Sequence, residues 1–298
     1  MKVKLFFVFP CLLISSSILA KPVLIISTSY NRPDFIDMQY MTLKKFLKDP
    51  YELVVFNDAQ QDVLAKQIEA TCNRLHVRCI RIPQIIHNLP YTSFWPGENN
   101  NHPTKRHTHC VQYALNLLGF NHDGIVVVLD SDVFLLSNFS FIDVMKNYDV
   151  ISYMQSHSSS DKRIIEHCSL PLFALNMPVL PNIRSLNVNP GYIDKVPCDA
   201  GAFTVFYFRN HPNVRILSTD CAYIEQTGSF SNNSTLLSNN RALAEFVNET
   251  PVFPINVDLF YQGKFLHHRG GSGWDNKSAQ YNTEKTRRIR KLLGKLCR

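Results

Sequence analysis

Short apolar runs that end in polar residues alternate with stretches of helical length along the first half of this chain. The runs cover residues 22–27, 51–56, 78–82 and 125–129, and another short one follows at 150–154. Each has the length and the β-branched character of a strand. Because the stretches between the first runs are long enough for crossover helices, the pattern predicts an α/β fold with a mainly parallel sheet flanked by helices.

The run at Ile125–Leu129 is the most regular of these predicted strands, and two aspartates follow it. The run is wholly aliphatic, as expected for a strand that is covered on both faces. Asp130 and Asp132 lie two positions apart, so both side chains point to the same side of an extended chain. Two hard oxygen ligands at the carboxyl end of a strand favour Mg2+ or Mn2+, and a plain turn at the strand end is the alternative.

The first and second predicted strands also end in polar residues. Those after the first strand are Thr28, Tyr30, Asn31 and Arg32. The arginine is a candidate clamp for a phosphate, or an ordinary surface residue. Asp58, after the second strand, either caps the helix predicted at 59–75 or accepts a hydrogen bond from a nucleotide base or ribose.

An amphipathic helix is predicted at residues 104–118, directly before the aspartate strand. At 100° per residue, its polar face carries Arg106, His109, Tyr113 and Asn116. A cationic face beside a metal site would neutralise a diphosphate. The alternative is a solvated face without chemistry.

The second half of the chain is less regular. Residues 155–198 are rich in Ser, Pro and Asn and suggest an insertion that determines specificity. Asp199 opens the sequence DAGAF, and residues 203–208 are predicted to form a strand. Gly201 would let the backbone approach a ligand, with Asp199 at the mouth of the site or in a plain turn.

Two further strands are predicted at residues 252–259 and 263–266. The second leads into His267, His268 and a glycine-rich turn that contains Gly270. An imidazole followed by free backbone N–H groups suits a metal-bound diphosphate, and a surface loop is the alternative.

The first 20 residues differ in character from the rest. Two lysines, a short apolar run and three serines precede Ala20, which is typical of a secretory signal peptide, with an uncleaved membrane anchor as the alternative. A lumenal or secreted protein is therefore expected. The predicted boundaries are 1–20 for this segment, 21–275 for one domain and 276–298 for a basic tail.

The formal net charge of +7 belongs entirely to that tail. From residue 276 onward, eight cationic side chains accompany one acidic side chain, so the rest of the chain is neutral. Four apolar residues recur there at helical spacing: Ile289, Leu292, Leu293 and Leu296. They predict an amphipathic helix that docks on the body or lies on an anionic membrane surface. The cations are not interleaved with stacking aromatic residues, so no nucleic-acid partner is predicted.

The cysteine spacing argues against a zinc-finger or thioredoxin-type motif. Eight cysteines are present and none forms a C-x-x-C pair. In an oxidising compartment, Cys72 and Cys79 are candidates for a disulfide bond, whereas Cys110 is expected to be a buried, inert thiol.

Several of these segments together resemble glycosyltransferases of the GT-A fold. They are TSYNRP after the first strand, VVVLDSD preceded by a polar helix ending in ALN, the DAG segment, and the late turn FLHHRGGSGW. The resemblance covers about residues 22–280. It implies one Rossmann-like domain with a mixed, mainly parallel sheet.

The resemblance also implies a metal site and a donor pocket. In that superfamily an Asp-x-Asp motif and a late histidine hold Mn2+ or Mg2+ on the diphosphate of a nucleotide sugar. The matching metal ligands here are Asp130, Asp132 and His267. The donor-binding residues implied are Thr28, Tyr30, Asn31, Arg32, Asp58, Arg106, His109, Asp130, Ser131 and Gly270. The late Glu-Asp pair of inverting members is not found here, so retention or inversion of the anomeric centre stays open. Asp199, Asp220 and Glu225 are the candidates for the base of an inverting reaction, and Asp199 is favoured among them.

The sequence therefore predicts a metal-dependent glycosyltransferase of the hexosyltransferase type, with a nucleotide-sugar donor and an unknown glycan, protein or lipid acceptor. A nucleotidyltransferase of related fold and a non-catalytic carbohydrate-binding protein are the alternatives. No glycine-rich loop with Lys or Arg follows the first strand to hold a triphosphate, which argues against the former.

Overall fold

A computed structural model describes residues 21–88, 102–158, 162, 164–225, 240–249, 256–271 and 279–298. The signal peptide predicted at residues 1–20 lies outside these ranges. So do the beginning of the strand predicted at 252–259 and the part of the glycine-rich turn that follows Gly271. No helix among the described residues combines the length and the apolar character needed to cross a membrane.

The described residues form thirteen strands and seven helices. The strands are β1 (Val23–Ser29), β2 (Tyr51–Asn57), β3 (Arg78–Arg81), β4 (Ile125–Leu129), β5 (Val133–Leu135), β6 (Val150–Ser158), β7 (Ile164–Asn176), β8 (Gly191–Ile193), β9 (Val196–Cys198), β10 (Ile216–Ser218), β11 (Cys221–Glu225), β12 (Asn256–Phe260) and β13 (Phe265–His267). The helices are α1 (Pro33–Phe46), α2 (Asp62–Leu75), α3 (Pro103–Leu117), α4 (Phe141–Met145), α5 (Thr204–Asn210), α6 (Arg241–Asn248) and α7 (Ala279–Leu296).

The main sheet has the strand order β10-β6-β7-β4-β1-β2-β3. Strand β7 runs antiparallel to both of its neighbours, and the other pairings are parallel. The predicted fold class, one α/β domain with a mixed, mainly parallel sheet flanked by helices, is therefore confirmed.

The central strands are covered on both faces, as their aliphatic sequences predict. Ile25 and Val127 pack into one core cluster, whereas their chain neighbours Ile26 and Val128 pack into a second one. All four side chains are at most 1% exposed. Alternate residues of β1 and β4 therefore fill the space beneath helices on opposite faces of the sheet.

A second, antiparallel sheet adjoins the carboxyl end of β4. Its strand order is β11-β12-β13-β5, and β5 begins directly after Asp132. The two aspartates therefore occupy the short connection between the two sheets.

The basic tail packs on the second sheet. Ile289, Leu292 and Leu293 of α7 are buried in a core cluster with residues of α6, β12 and β13. Of the two arrangements predicted for this helix, docking on the body is the one observed. Its apolar stripe is consequently covered by protein.

The structure corrects three predictions of local structure. Residues 204–208 lie in helix α5 and not in a strand: Thr204 and Tyr207, three positions apart on one helical face, are both buried, and this packing overrides the β propensity of the segment. The insertion expected at residues 155–198 is not separate from the sheet, because residues 155–158 and 164–176 belong to β6 and β7, which pair within the main sheet. Of the two roles left open for Asp58, capping of α2 is excluded, because the N-cap of this helix is Gln61.

Cys72 and Cys79 are neighbours, but the structure has no disulfide bond between them, whereas Cys110 is buried as expected. Cys72 and Cys79 contact each other through a hydrogen bond and remain free, as do the other described cysteines. Cys110 is buried beneath the sheet, and burial raises the pKa of its thiol well above the ordinary value. A thiol in that environment is inert.

Candidate active site

Asp130, Asp132 and His267 converge at the carboxyl end of β4. One ligand atom from each residue lies within 4.8 Å of the other two. Nε2 of His267 is 3.6 Å from Oδ1 of Asp132, and both side chains are about 85% buried. The three side chains thus present two carboxylate oxygens and an imidazole nitrogen to one small volume.

The arrangement follows from strand pairing and one glutamine. In the antiparallel pair β13–β5, His267 is opposite Val133, next to Asp132 in the chain. Nε2 of Gln39, on α1, donates hydrogen bonds to the carbonyl oxygens of Asp130 and Val133 at 2.8 and 3.1 Å. The turn that carries the aspartates is therefore held from two sides.

The electrostatics of this cluster favour a cation. Oδ1 of Asp130 is buried without a hydrogen-bond partner. Burial, with the neighbouring carboxylate of Asp130, raises the pKa of Asp132. Burial opposes the charge on His267, yet Asp132 and Asp258 raise its pKa above the ordinary value. Two buried carboxylates this close repel each other, and a divalent ion bound to oxygen and imidazole ligands would supply balancing positive charge.

Two residues near the cluster escaped the sequence analysis. Nε2 of His107, on α3, is 3.3 Å from Oδ1 of Asp130, although the helical-face argument selected its neighbours Arg106 and His109. Asp258 lies directly opposite His267 in the pair β12–β13, and its Oδ2 is 3.0 Å from Nδ1 of that histidine. Strand alternation would have placed Asp258 there only if the register of the pair had been known.

The neighbouring histidine, His268, points away from the cluster. It is fully buried, and its Nε2 lies 3.2 Å from the hydroxyl of Thr286 on α7. Its ring packs on Phe35, 5.3 Å between centroids. Burial lowers the pKa of His268 well below the ordinary value.

The turn after His267 is tied to the rest of the protein. Gly270 has a φ of +68°, which disfavours side chains. A Cβ on Gly271 would lie 2.9 Å from Oδ2 of Asp132, so only glycine lets the backbone approach the aspartate this closely. Nζ of Lys285, on α7, donates to the carbonyl of Arg269 at 2.6 Å. The basic helix therefore supports the turn that carries His267.

Arg32 lies between the first strand and this turn. Its guanidinium donates to the carbonyl of Gly271, forms two 2.8 Å hydrogen bonds with Asp34, and packs over the ring of Phe35. The arginine thus connects the turn after β1 to the turn after His267, and the carboxylate of Asp34 balances its positive charge.

Asp58 is at the centre of a buried network. Its carboxylate accepts from Arg106 Nη2 at 2.8 Å and from Gln84 Nε2 at 3.2 Å, and Oδ1 is 2.8 Å from Nε2 of His87. The guanidinium of Arg106 also lies 5.2 Å from the ring centroid of Tyr30. Arg106 therefore neutralises Asp58 and packs against the β1 turn.

The remaining predicted donor residues surround this network. His109 is buried and its ring is stacked on that of His87, and burial lowers its pKa to about 4, so the ring is neutral near pH 7. The predicted polar face of α3 is thus buried at Arg106 and His109. Asn31 Oδ1 accepts from the backbone of Gln60, and Tyr30 donates to the side chain of Gln60 at 2.8 Å. Thr28 and Ser131 are buried at the ends of β1 and β4.

Asp199 belongs to a different part of the same edge of the sheet. It follows β9 and lies near His167, which is on the part of β7 that extends past the end of β4. Burial lowers the pKa of His167 to about 4, and the carboxylate of Asp199 opposes this only weakly. The last described contact of β4 with β7 is the 3.1 Å bond from the amide of Asp130 to the carbonyl of Pro171. His167 lies four residues beyond Pro171, or about 13 Å along an extended strand.

Comparison with known proteins yields likenesses of structure and none of sequence. No protein-family model and no curated protein matches the chain. A mannosyltransferase from Pyrobaculum calidifontis, solved with GDP-mannose and Mn2+, is similar over 67% of this chain and 55% of its own, at 14% identity and a TM-score of 0.40. Glucosyl-3-phosphoglycerate synthase from Mycobacterium tuberculosis, solved with Mn2+ and UDP, is similar over 66% of this chain and 68% of its own, at 14% identity and a TM-score of 0.37. The chain thus spans about half the length of the mannosyltransferase.

Proposed function

We propose that this protein is a glycosyltransferase of the hexosyltransferase type that uses a nucleotide-diphosphate sugar and a divalent cation, Mn2+ or Mg2+. The observation that carries the proposal is the convergence of Asp130, Asp132 and His267 within 4.8 Å at the carboxyl end of β4. This is the edge at which α/β sheets bind nucleotides. Carboxylates suit both ions, and the imidazole favours Mn2+ of the two.

In this proposal the three residues hold the cation against the diphosphate of the donor. A bound divalent ion stabilises the negative charge that develops on a departing nucleoside diphosphate. Asp258 keeps Nδ1 of His267 engaged, which leaves Nε2 directed at the cluster. His107 lies beside Asp130, where an imidazole N–H would donate to a phosphate oxygen.

The nucleotide part of the donor is assigned to the turn after β1 and the end of β2. In register, β1 lies beside both β2 and β4, so Thr28, Tyr30, Asn31 and Asp58 reach the same edge of the sheet as Asp130. The carboxylate of Asp58 is already paired with Arg106. We therefore propose that Asp58 forms part of the pocket wall and does not bind the nucleotide directly. The aromatic ring of Tyr30 would stack against the nucleobase of the donor.

The acceptor is assigned to the side of the site formed by the extended part of β7. Asp199 is the carboxylate carried there, and we propose it as the base that accepts the proton of an acceptor hydroxyl. The predicted signal peptide suggests a compartment of the secretory pathway for the reaction.

A panel of nucleotide sugars tests the proposal. Purified protein is mixed with each donor, with and without Mn2+, and its melting temperature and the release of nucleoside diphosphate are measured. At least one donor is expected to stabilise the wild type only with Mn2+ and to be turned over. Asp132→Asn should lose both responses, and Asp123→Asn, at the opposite end of β4, should retain them.

Two results would contradict the proposal. Stabilisation by nucleoside triphosphates and by no nucleotide sugar would favour a nucleotidyltransferase. Sugar binding that is independent of Mn2+ and unaffected by Asp132→Asn, without turnover, would favour a non-catalytic binder.

A further inference from the structure

A second cluster of metal-binding side chains lies on the extended hairpin of β6 and β7. His157, His167 and Cys198 each place one ligand atom within 4.8 Å of the other two. His167 and Cys198 are fully buried, and His157 is partly exposed. None of the three belongs to the Asp130 cluster.

Strand pairing explains why the two histidines meet. In the antiparallel register, His157 is opposite Ile165, and His167 is opposite Gln155. The two histidines are therefore diagonal neighbours on one face of the hairpin. Their Nε2 atoms are 3.1 Å apart. Two nitrogens bound tetrahedrally to zinc at about 2.05 Å would be roughly 3.3 Å apart, so a small adjustment suffices.

The orientation of His167 is fixed in the way that metal-binding histidines usually are. Its Nδ1 lies 3.2 Å from the carbonyl oxygen of Cys168, which can only accept a hydrogen bond. Nδ1 therefore carries the proton, and the lone pair of Nε2 faces His157. A carbonyl partner on the other ring nitrogen is the common support of a histidine ligand.

The third ligand is brought in by close backbone packing. Gly201, with a φ of +90°, follows Cys198 by three residues, and a Cβ at Gly201 would lie 1.8 Å from the carbonyl oxygen of Cys168. The hydroxyl of Thr204 accepts a 3.1 Å hydrogen bond from the amide of Cys168. The segment that contains Cys198 is thus seated directly on β7 beside His167.

We propose that His157 Nε2, His167 Nε2 and Cys198 Sγ form a zinc site that joins the β6–β7 hairpin to the β8–β9 hairpin. Two imidazoles and a thiolate are borderline to soft ligands, which suit Zn2+ and not the hard ions expected at Asp130 and Asp132. Binding releases the thiol proton to solvent and leaves the fourth position of the tetrahedron to water.

The site is tested by metal content and by cobalt spectroscopy. Protein stripped with a chelator is loaded with Zn2+ or Co2+, desalted, and analysed for bound metal, melting temperature and absorption. The wild type is expected to retain one equivalent, to gain melting temperature, and to show with Co2+ the charge-transfer band of a thiolate ligand. Cys198→Ser protein should lose the charge-transfer band with Co2+. His157→Ala protein should retain less than one equivalent of metal after desalting.

Matched controls separate this site from the proposed active site. His122→Ala and Cys297→Ser change residues outside the cluster and should retain the zinc. Asp132→Asn should also retain zinc while it loses the response to Mn2+, so either proposal can fail alone. Wild-type protein that retains no zinc, or a Cys198→Ser protein that retains as much as the wild type with an unchanged cobalt spectrum, would overturn the inference.

Discussion

Oδ2 of Asp258 lies 3.0 Å from Nδ1 of His267, directly across the antiparallel pair β12–β13. This contact fixes the ring that faces Asp132, and it depends on the register of two strands near the end of the chain. An active-site cation would therefore be supported by a residue that does not touch it.

The first prediction concerns that supporting carboxylate. Asp258→Asn should weaken Mn2+ binding about 10- to 100-fold, because it removes the charge that orients and polarises His267. The affinity is measured by titrating Mn2+ in the presence of a nucleoside diphosphate. Asp123→Asn serves as the control, since its exposed carboxylate is remote from the cluster. If the Asp258 variant and the wild type bind Mn2+ with equal affinity, Asp258 does not support the metal site.

A second prediction concerns the buried pair of Asp58 and Arg106. Nε of the arginine is 2.7 Å from Oδ2, and both side chains are less than 10% exposed. Arg106→Met should lower the free energy of unfolding by about 3–5 kcal/mol, because it leaves a buried carboxylate without its charged partner.

Urea denaturation measures this change. The matched control is Arg209→Met, which breaks the exposed pair with Asp194 and should cost at most about 1 kcal/mol. A loss for Arg106→Met no greater than that of the control would show that Asp58 does not need Arg106 in the folded protein.

The docking of the basic helix gives a third prediction. Leu293 is fully buried against the second sheet, so Leu293→Ala should cost about 2–5 kcal/mol of unfolding free energy. Lys291→Ala, on the solvent side of the same helix, is the control. If both variants unfold like the wild type while Leu293→Ala alone reduces binding to anionic vesicles, the helix serves a membrane surface instead.

A fourth prediction concerns the pH dependence of stability. Hydrogen bonds from the side chain of Arg215 lower the pKa of Asp149, where Arg215 Nη2 is 2.6 Å from Oδ1. A lowered folded-state pKa means that the contribution is complete above the unfolded value of about 3.9 and is lost as the pH falls through the folded value.

The measurement compares wild type with Asp149→Asn by denaturation at several pH values. The wild type should be the more stable protein from pH 7 down to about pH 5, and the difference should shrink as the solution is acidified below about pH 4. A difference that stays constant down to pH 2 would show that the charge of Asp149 is not its source.

The sequence predicted the parts of the fold that depend on local pattern. Strands β1, β2 and β4 are aliphatic runs that end in polar residues, and Asp130 and Asp132 follow β4 as expected. The two aspartates lie in a turn, closed by the 2.9 Å hydrogen bond from the amide of Val133 to the carbonyl of Asp130, and not in the extended chain that the sequence analysis assumed. The segment 203–208 was mistaken for a strand because its β-branched and aromatic residues favour strands, whereas its packing on β7 selects a helix. The β propensity of a segment is a weak predictor of its structure when the burial of its side chains determines whether a helix or a strand forms.

The candidate site could be predicted only where side chains are close in sequence or resemble a known motif. Asp258 and His107 were missed because their positions depend on the pairing β12–β13 and on the rotation of α3. The His157, His167 and Cys198 cluster has no motif spacing, since its members meet through strand register. Contacts of this kind can be recognised only from the three-dimensional structure.

The most direct test of the account is a titration of zinc-loaded protein with Mn2+, monitored by electron paramagnetic resonance in the presence of a nucleoside diphosphate. One bound Mn2+ is expected in the wild type and in Asp123→Asn, with binding at least about tenfold weaker in Asp132→Asn and His267→Ala. Variants that are folded and bind Mn2+ as tightly as the wild type would contradict the proposal that these side chains share one cation.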